Sequence, residues 1–406
     1  MERKKILVSA YGCEPGRGSE AGVGWNWVIQ LAKEYDLDVI TRANDREKIE
    51  QNIPEEIKDS LHFIYYDRKR LVKIKKREKR LYLYYFFWQT GIIKIIRRLK
   101  REVKFDYSMH LSFGSLWMPT FLPFFKIPFI WGPVGGADGA PKPLLNRMPF
   151  KNRMVQKFRY FLVKTSFLNP RVAIPSRKAV AILCRTKNNR EAIPKKHRNK
   201  THIIIETGMT NETDKYAKDY DVQNEKIEIA VVGRLIPIKN VEAAIDVFKS
   251  VKEEVPNVHM SLIGDGPLRK SLEEKTKEYG IEESIDFCGE IPREQVLQKL
   301  QKADIYFLPS LKEGGSWSLM EAMSIGLPTV CLDWTGMGDI VDEQSGIKVE
   351  VKDYDKTNQE FAKGIVKLAN NSELRKQLGL NAKQRIRDEF SWESKLDFMK
   401  KLIGSN

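Results

Sequence analysis

Short β-branched runs alternate with amphipathic helical stretches along nearly the whole chain, which is the pattern of parallel sheets joined by crossover helices. Strands are predicted at residues 5–11, 37–42, 61–66, 107–111, 128–131, 179–184 and 201–206. A second series follows at 227–232, 259–263, 285–288, 305–308, 328–332 and 346–349, with helices between them such as 241–255 and 268–279. The polar stretch NETDKYAKDYDVQNE, residues 211–225, separates the series and reads as a linker. The expectation is an α/β chain of two Rossmann-like, doubly wound parallel sheets facing a central cleft. Ligands of such sheets bind outside the carboxyl ends of the strands.

Composition narrows the class. With 406 residues, 42% of them hydrophobic and 31% charged, the chain can bury a sizeable core and is neither disordered nor membrane-spanning. Its longest apolar stretches, 81–88 and 111–134, are too short or are broken by Pro119, Pro123, Lys126 and Pro128. Cys13, Cys184, Cys288 and Cys331 have no paired spacing, which fits a reducing compartment. The opening MERKKILVSAY lacks a signal-peptide pattern, so a cytoplasmic location is expected. The net charge of +16 is unevenly placed: residues 1–200 hold 42 Lys/Arg against 18 Asp/Glu, and the remainder 28 against 36. The run 68–104 holds 15 Lys/Arg against two Glu, with Tyr82, Tyr84, Tyr85, Phe86, Phe87 and Trp88 between its basic clusters. That composition suits the headgroup boundary of an anionic membrane, a peripheral attachment on the inner face. The plainer alternative makes the aromatics core and the charges a solvated face.

Three segments of the second half carry chemistry. AVVGRLIPIKN, residues 230–240, is a strand and a Gly233 turn followed by Arg234 and Lys239 before a helix, a placing of cations that suits a diphosphate. LIGDGP, residues 262–267, repeats the strand-to-glycine turn with Gly264 and Gly266. In ADIYFLPSLKEGGSWSLMEAM, a strand ends near Pro309, and a loop carries Glu313, Gly314, Gly315 and Ser316. A helix then begins near Trp317 and carries Glu321. Free N–H groups at that helix start form an anion site, and carboxylates beside it suit sugar and ribose hydroxyls, which donate hydrogen bonds.

Taken together and in this order, Gly233-Arg234 with Lys239, Gly264-Asp265-Gly266-Pro267, and Glu313 with Glu321 at E-x7-E spacing resemble glycosyltransferase family 4, retaining enzymes of the GT-B fold. The resemblance covers essentially the whole chain. It implies that Arg234 and Lys239 hold the donor diphosphate, Glu321 binds the ribose and Glu313 contacts the transferred sugar. The loop at Gly289 would lie near the base. The loop Gly315-Ser316-Trp317 departs from the family's usual Gly-Phe-Gly character, and the bulky Trp317 could reshape the sugar pocket. Residues 1–207 with a crossover helix at 390–406 would be the acceptor-side domain, and 208–389 the donor domain.

In the first half, the resemblance makes the loop of Gly16 and Gly18 a site element and places His110 in the cleft near the reacting sugar carbon. Gly135 and Gly136 form another glycine loop expected to face it. Trp25 and Trp27 read as packing, and His62, His197, His202 and His259 as structural. No carboxylate pair marks a metal-diphosphate site, so neither metal nor cofactor is expected beyond the nucleoside-diphosphate-sugar substrate, UDP- or GDP-linked. The implied reaction is retaining transfer to a lipid-linked glycan or polysaccharide acceptor. A same-fold epimerase or phosphorylase is the nearer alternative. A basic nucleic-acid-binding protein is the more distant one, and it lacks a recognition module.

Overall fold

The computed structural model describes residues 3–68, 81–221 and 225–404. It divides into two compact units, the first of Met1–Ala137, Phe161–Glu206 and Lys395–Asn406, the second of Asp138–Tyr160 and Thr207–Ser394.

In the first unit, β1 (Lys5–Ala10), β2 (Asp36–Thr41), β3 (Leu61–Tyr65), β4 (Tyr107–Ser112), β5 (Phe129–Val134), β6 (Ala179–Cys184) and β7 (Thr201–Ile203) form one parallel sheet in the order β3-β2-β1-β4-β5-β6-β7. The central strands β1, β4 and β5 are buried on both faces along almost their whole length, with Ser108, His110 and Ser112 the buried polar residues of β4. The order reverses between β1 and β4, so the loops after these two strands flank a switch point.

The helix Leu81–Glu102 supplies much of the cover. Tyr84, Tyr85, Trp88, Ile92, Ile96 and Leu99 recur at helical spacing and are buried with Phe129 and Trp131 of the sheet. The aromatic cluster divides: Tyr84, Tyr85 and Trp88 are core, and only Tyr82 and Phe86 of the six are exposed. The tail helix Trp392–Gly404 is tied to the first unit, with Lys4 Nζ donating to the Ile403 carbonyl at 2.8 Å and Lys400 pairing with Glu34 at 2.6 Å.

The second unit holds β8 (Ile227–Val232), β9 (Val258–Ile263), β10 (Ile285–Gly289), β11 (Ile305–Leu308), β12 (Thr329–Leu332) and β13 (Gly346–Val349), again parallel, in the order β10-β9-β8-β11-β12-β13. Its switch point lies between β8 and β11, and the Arg234 and Glu313 loops follow those two strands.

Two expected boundaries shift. The polar stretch at 211–225 is not a free linker: Thr213 and Tyr216 are buried, and Asp214 pairs with Arg387 at 2.9 Å and Lys383 at 3.2 Å. Asp214 is thus satisfied by the second unit's helix Ser372–Glu389, which composition alone does not reveal; residues 222–224 lie outside the described residues. The segment Asp138–Tyr160, expected within a 1–207 domain, groups with the second unit. Trp334 Nε1 donates to the Gly139 carbonyl at 2.7 Å, and the Arg147 guanidinium lies 4.6 Å from the Tyr354 ring centre.

Candidate active site

In the second unit, three glycine turns nest on one another. Gly233, Gly264 and Gly289 all have φ between +71° and +155°. Gly233 N donates to the Ile263 carbonyl and Gly264 N to the Gly289 carbonyl, both at 2.9 Å. A Cβ on Gly264 would fall 2.1 Å from the Gly233 carbonyl oxygen, and one on Gly266 2.5 Å from that of Leu235. These glycines thus let backbone meet backbone, which sets the shape of the loops before any ligand is considered.

Arg234 projects from this nest exposed and without a partner among the described residues. Lys239 does not: its Nζ donates to Glu313 Oε1 at 2.5 Å, and the two side chains are only 20% and 13% exposed. The structure therefore brings together the residues expected at the diphosphate and at the sugar. The Glu313 loop is held from behind, with Glu313 N donating to Thr335 Oγ1 at 3.2 Å and Gly336 N to the Glu313 carbonyl at 3.0 Å. Beyond Gly315, the Ser316 side chain caps the helix Trp317–Ile325 by accepting from Leu319 N, and Trp317 opens that helix half-buried.

Glu321 is buried on that helix, and its Oε1 accepts from Arg293 Nε at 2.6 Å. Burial raises its carboxyl above the usual range, with the Arg293 guanidinium pulling the other way. The sign follows. A carboxyl that holds its proton more tightly when folded contributes stability at low pH, and the contribution is lost as pH rises through its folded value. Glu321→Gln should therefore match or exceed the wild-type melting temperature at neutral pH and lose that advantage in acid. Arg293, half-exposed, stays hydrated. A variant that melts well below the wild type at pH 7 but not at pH 4 would show that the ion pair outweighs the burial cost.

Sequence reasoning missed Arg293 and Lys312. Lys312 precedes Glu313, and burial with the nearby Arg159 pushes its ammonium down to about 8, against the pull of Asp138 and Glu313. Nothing local signals this, because Asp138 and Arg159 lie far away in sequence.

In the first unit, Gly16 and Gly18 stand in open space. The rest of their loop is fixed: Ser112 Oγ donates to the Gly12 carbonyl at 2.6 Å, and a Cβ on Gly24 would fall 2.0 Å from that oxygen. Glu14 is clamped by Arg17 and Lys48, each at 2.9 Å. Arg185, absent from the sequence reading, gathers several strand ends. It contacts Glu20 at 3.3 Å, Glu206 at 3.4 Å and the Pro133 carbonyl at 3.3 Å, while Gly114 N donates to Glu20. A Cβ on Gly135 would meet the Arg185 side chain at 2.6 Å, and the Gly136 carbonyl accepts from Trp117 Nε1 at 2.9 Å. Trp25 and Trp27 are packing, Trp27 donating to the Glu206 carbonyl at 2.8 Å.

His110 lies within β4 rather than at its end and is 1% exposed. Its Nε2 lies 3.1 Å from the Phe113 carbonyl, to which a neutral ring donates, and Nδ1 is buried without a partner. Burial lowers its pKa to about 4. Among the described residues, no group of three His, Cys, Asp or Glu is placed to hold a metal.

Two doubly wound parallel sheets, each with its loops at the switch point, are the architecture of GT-B glycosyltransferases, and the chain shares that fold with solved members. It aligns with sucrose-phosphate synthase of Thermosynechococcus elongatus over 99% of both chains (TM-score 0.64, 17% identity). It aligns with Anabaena HepE, solved in complex with UDP, over 99% of this chain and all of that one (TM-score 0.63, 15% identity). Residues 212–385 match the family model of glycosyl transferases group 1, so the second unit carries a group 1 glycosyltransferase domain. An uncharacterized glycosyltransferase of Methanocaldococcus jannaschii is 33% identical over 184 residues, 44% of this chain and 45% of the relative. The amylovoran biosynthesis glycosyltransferase AmsK of Erwinia amylovora is 30% identical over 143 residues, 34% of this chain and 35% of the relative. The chain thus spans less than half the length of each of these two relatives.

Proposed function

We propose that the protein is a retaining glycosyltransferase of family 4 type. It would move a sugar from a UDP- or GDP-sugar to a lipid-linked glycan in the building of a surface polysaccharide. The observation that carries this is the Arg234 guanidinium, unpaired and exposed, on the same glycine nest as the Lys239–Glu313 pair, within a group 1 domain. The acceptor hydroxyl oxygen bonds to the anomeric carbon as the bond to the diphosphate oxygen breaks on the same face, and the hydroxyl proton passes to the leaving phosphate. Arg234 and Lys239 meet the charge that develops on the diphosphate. Glu313 contacts the transferred sugar, Glu321, oriented by Arg293, accepts from ribose hydroxyls, and the Gly16 and Gly135 loops form the acceptor side, which His110, being buried, serves only through the Phe113 carbonyl its ring holds. That HepE was solved with UDP and that AmsK is named for polysaccharide biosynthesis both support this reading.

UDP-, GDP- and ADP-sugars tested in turn by thermal shift check it, since a ligand that binds only the native state raises the melting temperature by mass action. The UDP- or the GDP-sugar should give a dose-dependent rise, and no rise, or a rise with the ADP-sugar alone, would refute the donor assignment. Because cationic side chains meet the leaving charge, transfer should also persist in EDTA. Loss that magnesium or manganese restores would overturn that part.

We also place the protein at an anionic membrane through residues 68–104. No helix among the described residues is long and apolar enough to cross a membrane. Supporting the peripheral reading, Arg97, Lys100, Arg101 and Lys126 line a groove of about 790 Å³ together with Phe121 and Phe124. Lys73, Lys75, Lys76 and Arg77 lie outside the described residues.

A further inference from the structure

The helix Phe150–Lys164 is built inside out. On a helix of a water-soluble protein the apolar stripe faces the core and the polar face meets solvent. Here Phe150, Met154, Val155, Phe158 and Phe161 are all between 46% and 69% exposed, and the only fully buried residue is Gln156. Phe150, Met154, Phe158 and Phe161 recur at i, i+4, i+8 and i+11, one continuous stripe. The opposite face is fastened by polar side chains to the irregular segment before it, and Val163 near the helix end packs on the core. Gln156 Oε1 accepts from Ala140 N at 3.1 Å, Tyr160 OH donates to the Ala140 carbonyl at 2.6 Å, and Arg159 donates to the Asp138 carbonyl at 3.1 Å. These bonds fix the rotation of the helix, so its phenylalanines cannot turn inward without breaking them. Each exposed phenylalanine leaves apolar surface in water that burial would stabilise.

The charge says what covers this stripe. The helix carries Lys151, Arg153, Lys157, Arg159 and Lys164 and no acid, and residues 139–200 hold 17 Lys/Arg against a single acid, Glu191. A second copy packed stripe to stripe would bring two such basic helices together, which is repulsive. An apolar stripe flanked by lysines and arginines fits a bilayer of anionic lipid, where the rings enter the acyl boundary and the cations meet phosphates. We propose that the helix Phe150–Lys164 is a membrane-docking element that lies in the interface of an anionic bilayer. This deepens the membrane part of the proposed function and rests on it, but it names a different element from residues 68–104.

Flotation of the full chain with phosphatidylglycerol-rich vesicles, against phosphatidylcholine alone, tests it. The wild type should float with the anionic vesicles and release as salt rises. The double variant Phe150→Glu, Met154→Glu alters two exposed positions of the stripe and should bind at least about ten-fold more weakly, with its melting temperature unchanged. Lys151→Gln with Lys157→Gln should weaken binding while the stripe remains. Flotation of the Glu variant equal to wild type overturns the proposal. If only replacement of Lys73, Lys75, Lys76 and Arg77 by Glu abolishes flotation, attachment belongs to residues 68–104 instead. Failure of the wild type to float, or a stripe-dependent dimer in sedimentation, refutes the membrane assignment, and the thermal-shift response to the donor sugar reports the glycosyltransferase reading separately.

Discussion

Arg234→Ala should lower kcat/KM on the true donor by about 30- to 1000-fold while leaving the protein as stable as the wild type. The rate loss corresponds to about 2–4 kcal/mol, the worth of a charge-assisted, preorganised contact to a leaving diphosphate. The stability forecast follows from the structure: the guanidinium is exposed and partnerless among the described residues, and surface replacements of that kind stay within about 0.5 kcal/mol. Arg234→Lys keeps a charge but loses the planar fork, so it should recover only part of the rate. Lys239→Ala should behave differently, because it strips Glu313 of its ion pair and leaves a mostly covered carboxylate uncompensated. Turnover assayed by release of the nucleoside diphosphate, together with thermal melts, separates the two. An Arg234→Ala enzyme with unchanged kcat/KM would remove Arg234 from the donor site.

Stability should fall in acid in a way that depends on His110. An imidazole whose folded pKa is about 4, against an ordinary value near 6.5, is one the fold holds neutral. Such a group contributes stability that is present above the unfolded value and lost as pH falls toward the folded one. The window therefore runs from about pH 6.5 down to about pH 4, and the loss across it is on the order of 3 kcal/mol. His110→Gln keeps a donor near the Phe113 carbonyl and removes the titration, so its unfolding free energy should decline less steeply over that window. Denaturant unfolding at a series of pH values measures the difference in slope. Parallel curves for the two proteins would mean that His110 is hydrated and able to take up a proton, the condition that a solvent-facing catalytic role requires.

The fold was legible because its signals are local. All thirteen predicted strands are present, most within a residue or two at each end, since short β-branched runs between helical patterns are the local signature of a parallel sheet. β7, which stops at Ile203 rather than residue 206, is the main shortfall. The pieces of the candidate site were legible for the same reason: Gly233, Gly264 and Glu313 sit in turns at strand ends, and strand ends are where such sheets bind ligands. Partners that come from distant parts of the chain were not. Glu321 was identified without Arg293, Glu313 without its bond to Lys239, and Arg185 was overlooked because its contacts reach Glu20, Pro133 and Glu206 across the sheet.

Periodicity and the order of motifs thus determined from sequence alone that this chain is two parallel-sheet domains and which loops carry its polar chemistry. Tertiary structure decided which side of each element faces inward. The aromatics of 81–102, read as a membrane face, divide between core and surface because the sheet needs Tyr84, Tyr85 and Trp88 beneath it. The helix Phe150–Lys164 turns its phenylalanines outward because hydrogen bonds to Asp138 and Ala140 hold the opposite face down. A hydrophobic stripe has the same spacing whether it meets a protein core or a lipid surface, so the choice between them rests on contacts that spacing does not encode.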